Sequence, residues 1–481
     1  MSALDKINHF VVLMLENRSF DSLLGMLYPT SPDFDGLDGT ESYLDPNGVP
    51  VKVWAKPGTD KPSMSIPDPD PGELWVEMNQ QIFGTKVLPN PLPAATMSGF
   101  VRGYVGLAQP NGPAYDGPNI MHYYLPEQVP VISKLARQFA VSDRWHASAP
   151  CQTWPNRFFV HTATANGYEN NSPPHFPYDM ETIFNRFADH GIPWKIYFHD
   201  MPQTLTLSRL WPHLDRFALY PEFRHDAQHG TLPAYSFIEP RYFADLALPN
   251  DMHPPHIVTL GEQLIADVYN ALRSGPKWAE TLLIITFDEH GGCYDHVAPP
   301  AATPPGNQPT VPFNFDRYGV RVPAVLVSPY IRQATVLRPS GGTPFDHTSI
   351  MKTLRKRFSL GPALSARDAA APDLEDALNL DAPDNPGPPN LAALPYTPKP
   401  SEIAAAMSLP LNGMQRGLLD LALHLPANAA VGDVAAFMAT HADALRAGML
   451  PGVGAIAAGM DMIDAAAMVR KRLTTLFSSL G

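Results

Sequence analysis

Cysteine is nearly missing from this chain of 481 residues: Cys151 and Cys293 are the only two. A disulfide-built scaffold is thereby excluded, and stability has to come from a buried apolar core. The pair could form one bridge or remain two buried thiols. Long apolar runs are missing as well. No stretch reaches the roughly 18 uninterrupted apolar residues of a membrane-crossing helix, so no transmembrane segment is expected. Basic charge is also scarce, with 34 Lys and Arg against 47 Asp and Glu and a formal net charge of −13. That balance excludes a nucleic-acid partner, because phosphate backbones are bound by concentrated basic surface. The opening residues MSALDKINHFVVLMLE lack, in the right order, the basic segment, apolar stretch and small-residue cleavage site of an export signal. The expectation is a cytoplasmic protein, or one exported without a leader or already trimmed of it.

Proline, by contrast, is abundant. Its 54 residues are roughly double the usual share of about 5%, which implies long, stiff connections. INHFVVLML and TLLIITF are unbroken apolar runs, the pattern of strands covered on both faces of a parallel sheet. KIYF, AYSFI and VPAVLVSPYI are further strand candidates, and Ile257, Leu260, Leu264, Ile265 and Val268 recur at helical spacing. These alternations predict a layered α/β fold with a mostly parallel sheet flanked by helices. The expected layout is a catalytic domain over residues 1–395 and a helical C-terminal extension over 396–481. Within the former, about 30–115 reads as an irregular Pro/Gly-rich insertion over the site. A second proline-rich stretch from Ala370 to about Pro400 reads as a linker or wrap. In the tail, SEIAAAMSLPLNGMQRGLLDLALHL, DVAAFMATHADALRAGM and AAAMVRKRLTTLF read as helices. An apolar face from Met449 to Met468 is open to three uses: peripheral membrane contact, packing on the catalytic domain, or oligomerisation.

Two polar clusters share one placement. Glu16 and Asn17 directly follow the first strand, and Asp288 and Glu289 directly follow TLLIITF. Ligands collect beyond the carboxyl ends of parallel strands. If the strands are neighbours, three carboxylates and an amide oxygen form a hard, oxygen-rich cage suited to one divalent cation. In CQTWPNRFF, Thr153 stands at or just before the N-cap of a helix that carries Pro155 in its first turn. It is either a cap or a nucleophile, its hydroxyl activated by the ion and its helix N–H groups receiving a phosphate. In GGCYDHVAPP, Gly291 and Gly292 permit a tight turn that brings Tyr294, Asp295 and His296 over the site. His296 leads as general acid, with His253, His347, His122 and His146 as alternatives.

ENRSFD, DRWHASAPCQTWPNR, HPPHIVTLGEQLI, FDEHGGCYDHVAPP and FDHTSIMKTL occur in that order. Together they resemble the phosphoesterase family of non-specific (phosphatidylcholine-type) phospholipases C and acid phosphatase A enzymes. The resemblance implies an alkaline-phosphatase-like fold, a phosphoric ester hydrolase, and one metal held by Glu16, Asn17, Thr153, Asp288 and Glu289. It makes Thr153 the nucleophile of a phosphothreonine intermediate. The ion is Ca, Mg, Mn, Fe or Zn. The other catalytic candidates are His296, His253, His347 and Asp295; those for substrate binding are Asn17, Asn156, Arg157, His122 and Tyr294. The substrate expected is a phosphate ester, a phospholipid among the choices. An acid phosphatase acting on monoesters is the alternative, and a catalytically inactive metal-bound binding protein a second. The threonine at 153 cannot become the formylglycine of sulfatases, to whose C-x-P-S-R motif TWPNR is similar.

Overall fold

His9–Leu15, β1, is apolar at every position from Phe10 on, and those side chains are wholly buried. A strand of that composition is stable only with strands on both sides and helices on both faces. The computed structural model, which describes residues 2–110, 112–171, 177–245, 247–306, 313–424 and 460–477, provides that setting. The strands are β1, β2 (Ser42–Leu44), β3 (Pro50–Lys52), β4 (Ala140–Val141), β5 (Trp194–Phe198), β6 (Phe217–Leu219), β7 (Tyr235–Glu239), β8 (Thr281–Phe287), β9 (Ala324–Val327) and β10 (Thr335–Val336). Eight of them form one sheet in the order β10-β4-β9-β8-β1-β7-β5-β6. Only the pairs made by β9, with β4 and with β8, are antiparallel. The layered, mostly parallel α/β architecture read from the sequence is thus the one observed.

Register positions the site. β1 runs between β7 and β8, parallel to both, and its pairing with β8 ends at Leu15 opposite Phe287. The next residues, Glu16 and Asp288, therefore leave the sheet side by side. Val258–Ser274 forms the expected helix and packs its apolar side against the sheet, with Val258, Ile265 and Val268 buried.

The stretch over 30–115 is more regular than its composition suggests. It holds the β2–β3 hairpin, helices at Trp75–Phe83 and Phe100–Val105, and a small apolar core of its own. Tyr294 and Val320 join that core and tie it to the segments after β8. The second proline-rich stretch wraps the Val258–Ser274 helix: Tyr269, Asn270 and Gln263 donate to the carbonyls of Pro388, Leu391 and Tyr396. In the tail, Leu409 and Pro410 interrupt the first helical reading into Pro400–Met407 and Gly413–His424, as proline lacks the N–H a continuous helix needs. Met462–Phe477 packs with the second of these, and both join the apolar core of the sheet. DVAAFMATHADALRAGM and the first half of the Met449–Met468 face lie outside the described residues. No helix among the described residues is long and apolar enough to cross a membrane.

Candidate active site

Five of the residues singled out from the sequence converge. Glu16, Asn17, Thr153, Asp288 and Glu289 are all wholly buried. The Thr153 hydroxyl lies 3.2 Å from Glu16 Oε2 and 3.3 Å from Asn17 Oδ1. The backbone N–H groups of Asn17 and Glu289 both donate to Asp288 Oδ1, at 3.0 and 2.8 Å, which fixes that carboxylate. Arg157, four residues after Thr153 on the same helix, donates to Glu16 Oε1 from Nε at 3.0 Å and approaches Asp288 Oδ2 at 3.8 Å. Thr153 is the first residue of its helix, one position later than expected. Gln152 is the N-cap, because its extended backbone turns the chain into the helix.

The donor set fits a divalent cation. Three buried carboxylates face one guanidinium, so two negative charges are uncompensated, and burying unpaired charge costs several kcal/mol. Burial first, and then the neighbouring carboxylates, push Glu16 and Glu289 well above the usual carboxylate range; burial raises Asp288 too, against the pull of Arg157. Asp288 Oδ2 and Glu289 Oε1 are buried without a hydrogen-bond donor. Such orphaned hard oxygens are what Ca, Mg or Mn coordinate, and Fe or Zn accept.

Glycine is required at the turn after β8. Gly291 and Gly292 both have positive φ, 61° and 63°. A Cβ on Gly291 would stand 2.2 Å from the carbonyl oxygen of Asn17, and one on Gly292 would stand 2.7 Å from Pro71 Cβ. The turn therefore presses the insertion and Asn17 together. Asn17 itself has φ 53°, a left-handed conformation that asparagine tolerates better than most residues.

A carboxylate that no motif signalled enters there. Glu73, from the insertion, accepts from Asn17 Nδ2 and lies 3.1 Å from His253 Nε2. The other ring nitrogen of His253 faces the Pro254 carbonyl at 2.7 Å. Burial alone would lower the pKa of His253, but Asp70 and Glu73 outweigh it and hold the ring well above its ordinary value, as an imidazolium. His253 is thus one residue removed from the cage.

The remaining candidates are placed elsewhere or are fully engaged. His296 has Nδ1 2.7 Å from Asp21 Oδ2 and Nε2 3.1 Å from Asp35 Oδ1. Burial opposes its charge, yet those carboxylates push its pKa up to about 10. Asp295 accepts from Arg321 Nε at 3.0 Å, and Arg321 also donates to Asp21. His347 Nε2 donates to the backbone carbonyl of Asp288 at 2.6 Å and steadies the strand end; burial lowers its pKa to about 4. The Asn156 amide is spent on the loop before its helix, with bonds to Ala149, Cys151 and Gln152, which leaves it no donor for substrate. His122 sits edge-on to Trp54 and Tyr124, and Tyr294 lies in the insertion's core against Phe100. The helix N–H of Trp154 is taken by Asn171 at 2.8 Å, so it does not serve a phosphate. His146 is buried against the Gly319 carbonyl. The two cysteines are free: Cys151 packs with Ala149, Phe159 and Phe315, apart from Cys293 on the glycine turn.

The phosphoesterase family model matches residues 7–361, which contain every residue of this cage. The chain belongs to the phosphoesterase family. Among relatives of this phosphoesterase, non-specific phospholipase C6 of Arabidopsis thaliana is 40% identical over 78% of this chain and 72% of its own. Non-specific phospholipase C3 of the same plant is 37% identical over 82% and 77%. Phospholipase C B of Mycobacterium tuberculosis is 30% identical over 82% and 83%. Solved structures resemble it weakly. An alkaline phosphatase superfamily protein from Vibrio parahaemolyticus is 11% identical with TM-score 0.29, over 52% of this chain and 65% of that one. The lipoteichoic acid synthase LtaP of Listeria monocytogenes is 12% identical with TM-score 0.31, over 55% and 70%.

Proposed function

We propose that this phosphoesterase cleaves phosphodiesters of the phospholipase C type through a phosphothreonine at Thr153. The observation that carries this reading is the Thr153 hydroxyl, 3.2 and 3.3 Å from Glu16 and Asn17 inside a cage with two uncompensated negative charges. The curated relatives, phospholipases C that match over more than two thirds of both chains, supply the substrate class. Glu16, Asn17, Asp288 and Glu289 would hold one divalent ion. When bound, it supplies charge neutralisation at the phosphate and a lowered pKa for the hydroxyl beside it.

Thr153 Oγ1, ionised with its proton released to solvent, attacks phosphorus in line, and the bond to the leaving alcohol breaks as that oxygen takes a proton. His253 is assigned as the donor because it is a buried imidazolium whose Nε2 lies against Glu73, the carboxylate that also accepts from Asn17. Water then attacks the phosphothreonine, Thr153 Oγ1 leaves, and the same imidazole receives the water's proton. Arg157 holds Glu16 in place during both steps.

The test pairs two substrates with a trap. Release of p-nitrophenol should be faster from p-nitrophenylphosphorylcholine than from p-nitrophenyl phosphate, and acid quenching during turnover should leave on Thr153 phosphorylcholine from the diester and phosphate from the monoester. Dominance of the monoester would make the chain a phosphatase instead. Absence of label on a fully active enzyme would exclude the covalent route.

A further inference from the structure

Asn17 presents two chemically opposite ends, and only one serves a cation cage. Its Oδ1 must face Thr153 and the carboxylates; turned over, the amide N–H2 would bring positive hydrogens to the ion. Nothing in the cage enforces the correct end, since Thr153 Oγ1, 3.3 Å away, both donates and accepts. The enforcement comes from outside. Asn17 Nδ2 donates to Glu73 Oε1, a carboxylate oxygen that cannot donate in return. The same oxygen is 3.1 Å from His253 Nε2, which holds the carboxylate in place.

We propose that Glu73 is a positioning residue of this enzyme: it selects the amide orientation of Asn17 that offers Oδ1 to the metal. The inference rests on reading Glu16, Asn17, Asp288 and Glu289 as the cage. Glu73 is built for the task. It directly precedes Leu74, the N-cap of the Trp75–Phe83 helix, whose Glu77 carboxylate accepts from the Leu74 N–H at 3.0 Å and fixes the helix entry. On its other side, Gln81 Nε2 donates to the Gly72 carbonyl at 2.7 Å, while His290, one residue after Glu289, holds Gln81 Oε1 at 2.8 Å. Gln81 thus ties the residue before Glu73 to the second cage segment, and Glu77 fixes the residue after it. With 8% of its surface exposed, Glu73 is shielded from water that could replace it. Outer-shell partners of this kind typically change metal affinity by about 10–100-fold when removed.

The test measures metal binding rather than turnover. The full chain is stripped with chelator and titrated calorimetrically with Ca²⁺, Mg²⁺, Mn²⁺, Fe²⁺ and Zn²⁺, and the tightest ion is carried forward. Glu73→Ala should bind it about 10–100-fold more weakly, while Glu73→Gln, which keeps an acceptor oxygen, should lose less. Asn17→Asp supplies the decisive comparison, because a carboxylate has two equivalent oxygens and needs no orienting. Beside Glu73 it meets like charge and should weaken binding; in the Glu73→Ala background it should recover affinity. Should Glu73→Ala fail to fold, the same comparison is made with Glu73→Gln. A wild-type chain that binds none of the ions removes the cage reading itself. Wild-type binding with Glu73→Ala within about two-fold of it overturns the positioning role alone, as does an Asn17→Asp effect that is the same with and without Glu73.

Discussion

Glu16 and Asp288 are separated by more than half the chain yet leave the sheet as neighbours, one step beyond the Leu15–Phe287 pair of two parallel strands. The Asp288 N–H donates to the Leu15 carbonyl at 3.2 Å, so the ladder continues up to the cage. Both carboxylates then reach Arg157, which comes with Thr153 on one helix. A hydroxyl, a guanidinium and three carboxylates are in this way fixed by backbone rather than by flexible side chains, which is the preorganisation phosphoryl transfer demands.

Replacing the hydroxyl should remove the chemistry and leave the fold. Thr153→Ala is expected to lower kcat by at least about a thousand-fold, at about 1.4 kcal/mol of barrier per power of ten. Thr153→Ser should retain a measurable part, since it keeps the oxygen. Steady-state rates on p-nitrophenylphosphorylcholine, with melting curves as a folding control, decide it; near-normal turnover by the alanine variant would sink the assignment.

Removal of divalent ions should silence the enzyme reversibly. Dialysis against chelator is expected to abolish turnover, and one ion among Ca, Mg, Mn, Fe and Zn should restore it. Elemental analysis shows whether the stripped protein is metal-free. Full activity in a verified metal-free sample would count against the cage.

Arg157→Gln should be a stability variant before it is a kinetic one. It leaves Glu16 buried without its partner, a change that costs about 3–5 kcal/mol in comparable settings. Urea unfolding of the metal-free protein isolates this effect. A loss under about 1 kcal/mol would mean that other groups compensate the charge.

Gly291→Ala tests the turn. The new Cβ would stand 2.2 Å from the Asn17 carbonyl at a positive φ of 61°, so the chain must move. A loss of about 1–3 kcal/mol is expected, together with weakened metal binding, because the displaced group belongs to a ligand. Unchanged melting temperature and metal affinity would show that the contact relaxes freely.

The pair of carboxylates on His296 should give the fold a pH dependence. Its pKa is raised from 6.5 to about 10, so the protonated ring is favoured in the folded state. That stabilisation is fully present below pH 6.5 and is lost as pH rises through about 10. His296→Gln should abolish this component of the slope in a series of urea titrations from pH 6 to 10. An unchanged slope would mean that the ring does not titrate there.

The sheet was legible because its central strands are unbroken apolar runs, a pattern that local sequence displays. β4, β6 and β10, of two or three residues each, carry no such pattern and were not expected. The insertion looked irregular because its core is assembled from scattered single residues, Leu37, Ile82, Phe100 and Tyr104 among them.

At the site, sequence alone determined which residues could carry charge at the ends of strands and which hydroxyl opened a helix. Spacing along the chain cannot determine pairing across it. His296 stands in the motif that pointed to a general acid, yet Asp21 and Asp35 claim both of its nitrogens. Glu73 stands in no motif, yet it touches both Asn17 and His253. Only tertiary structure decided those matches. A hydrogen bond depends on distances of about 3 Å, and such distances are set by packed strands, a glycine turn and a docked insertion together.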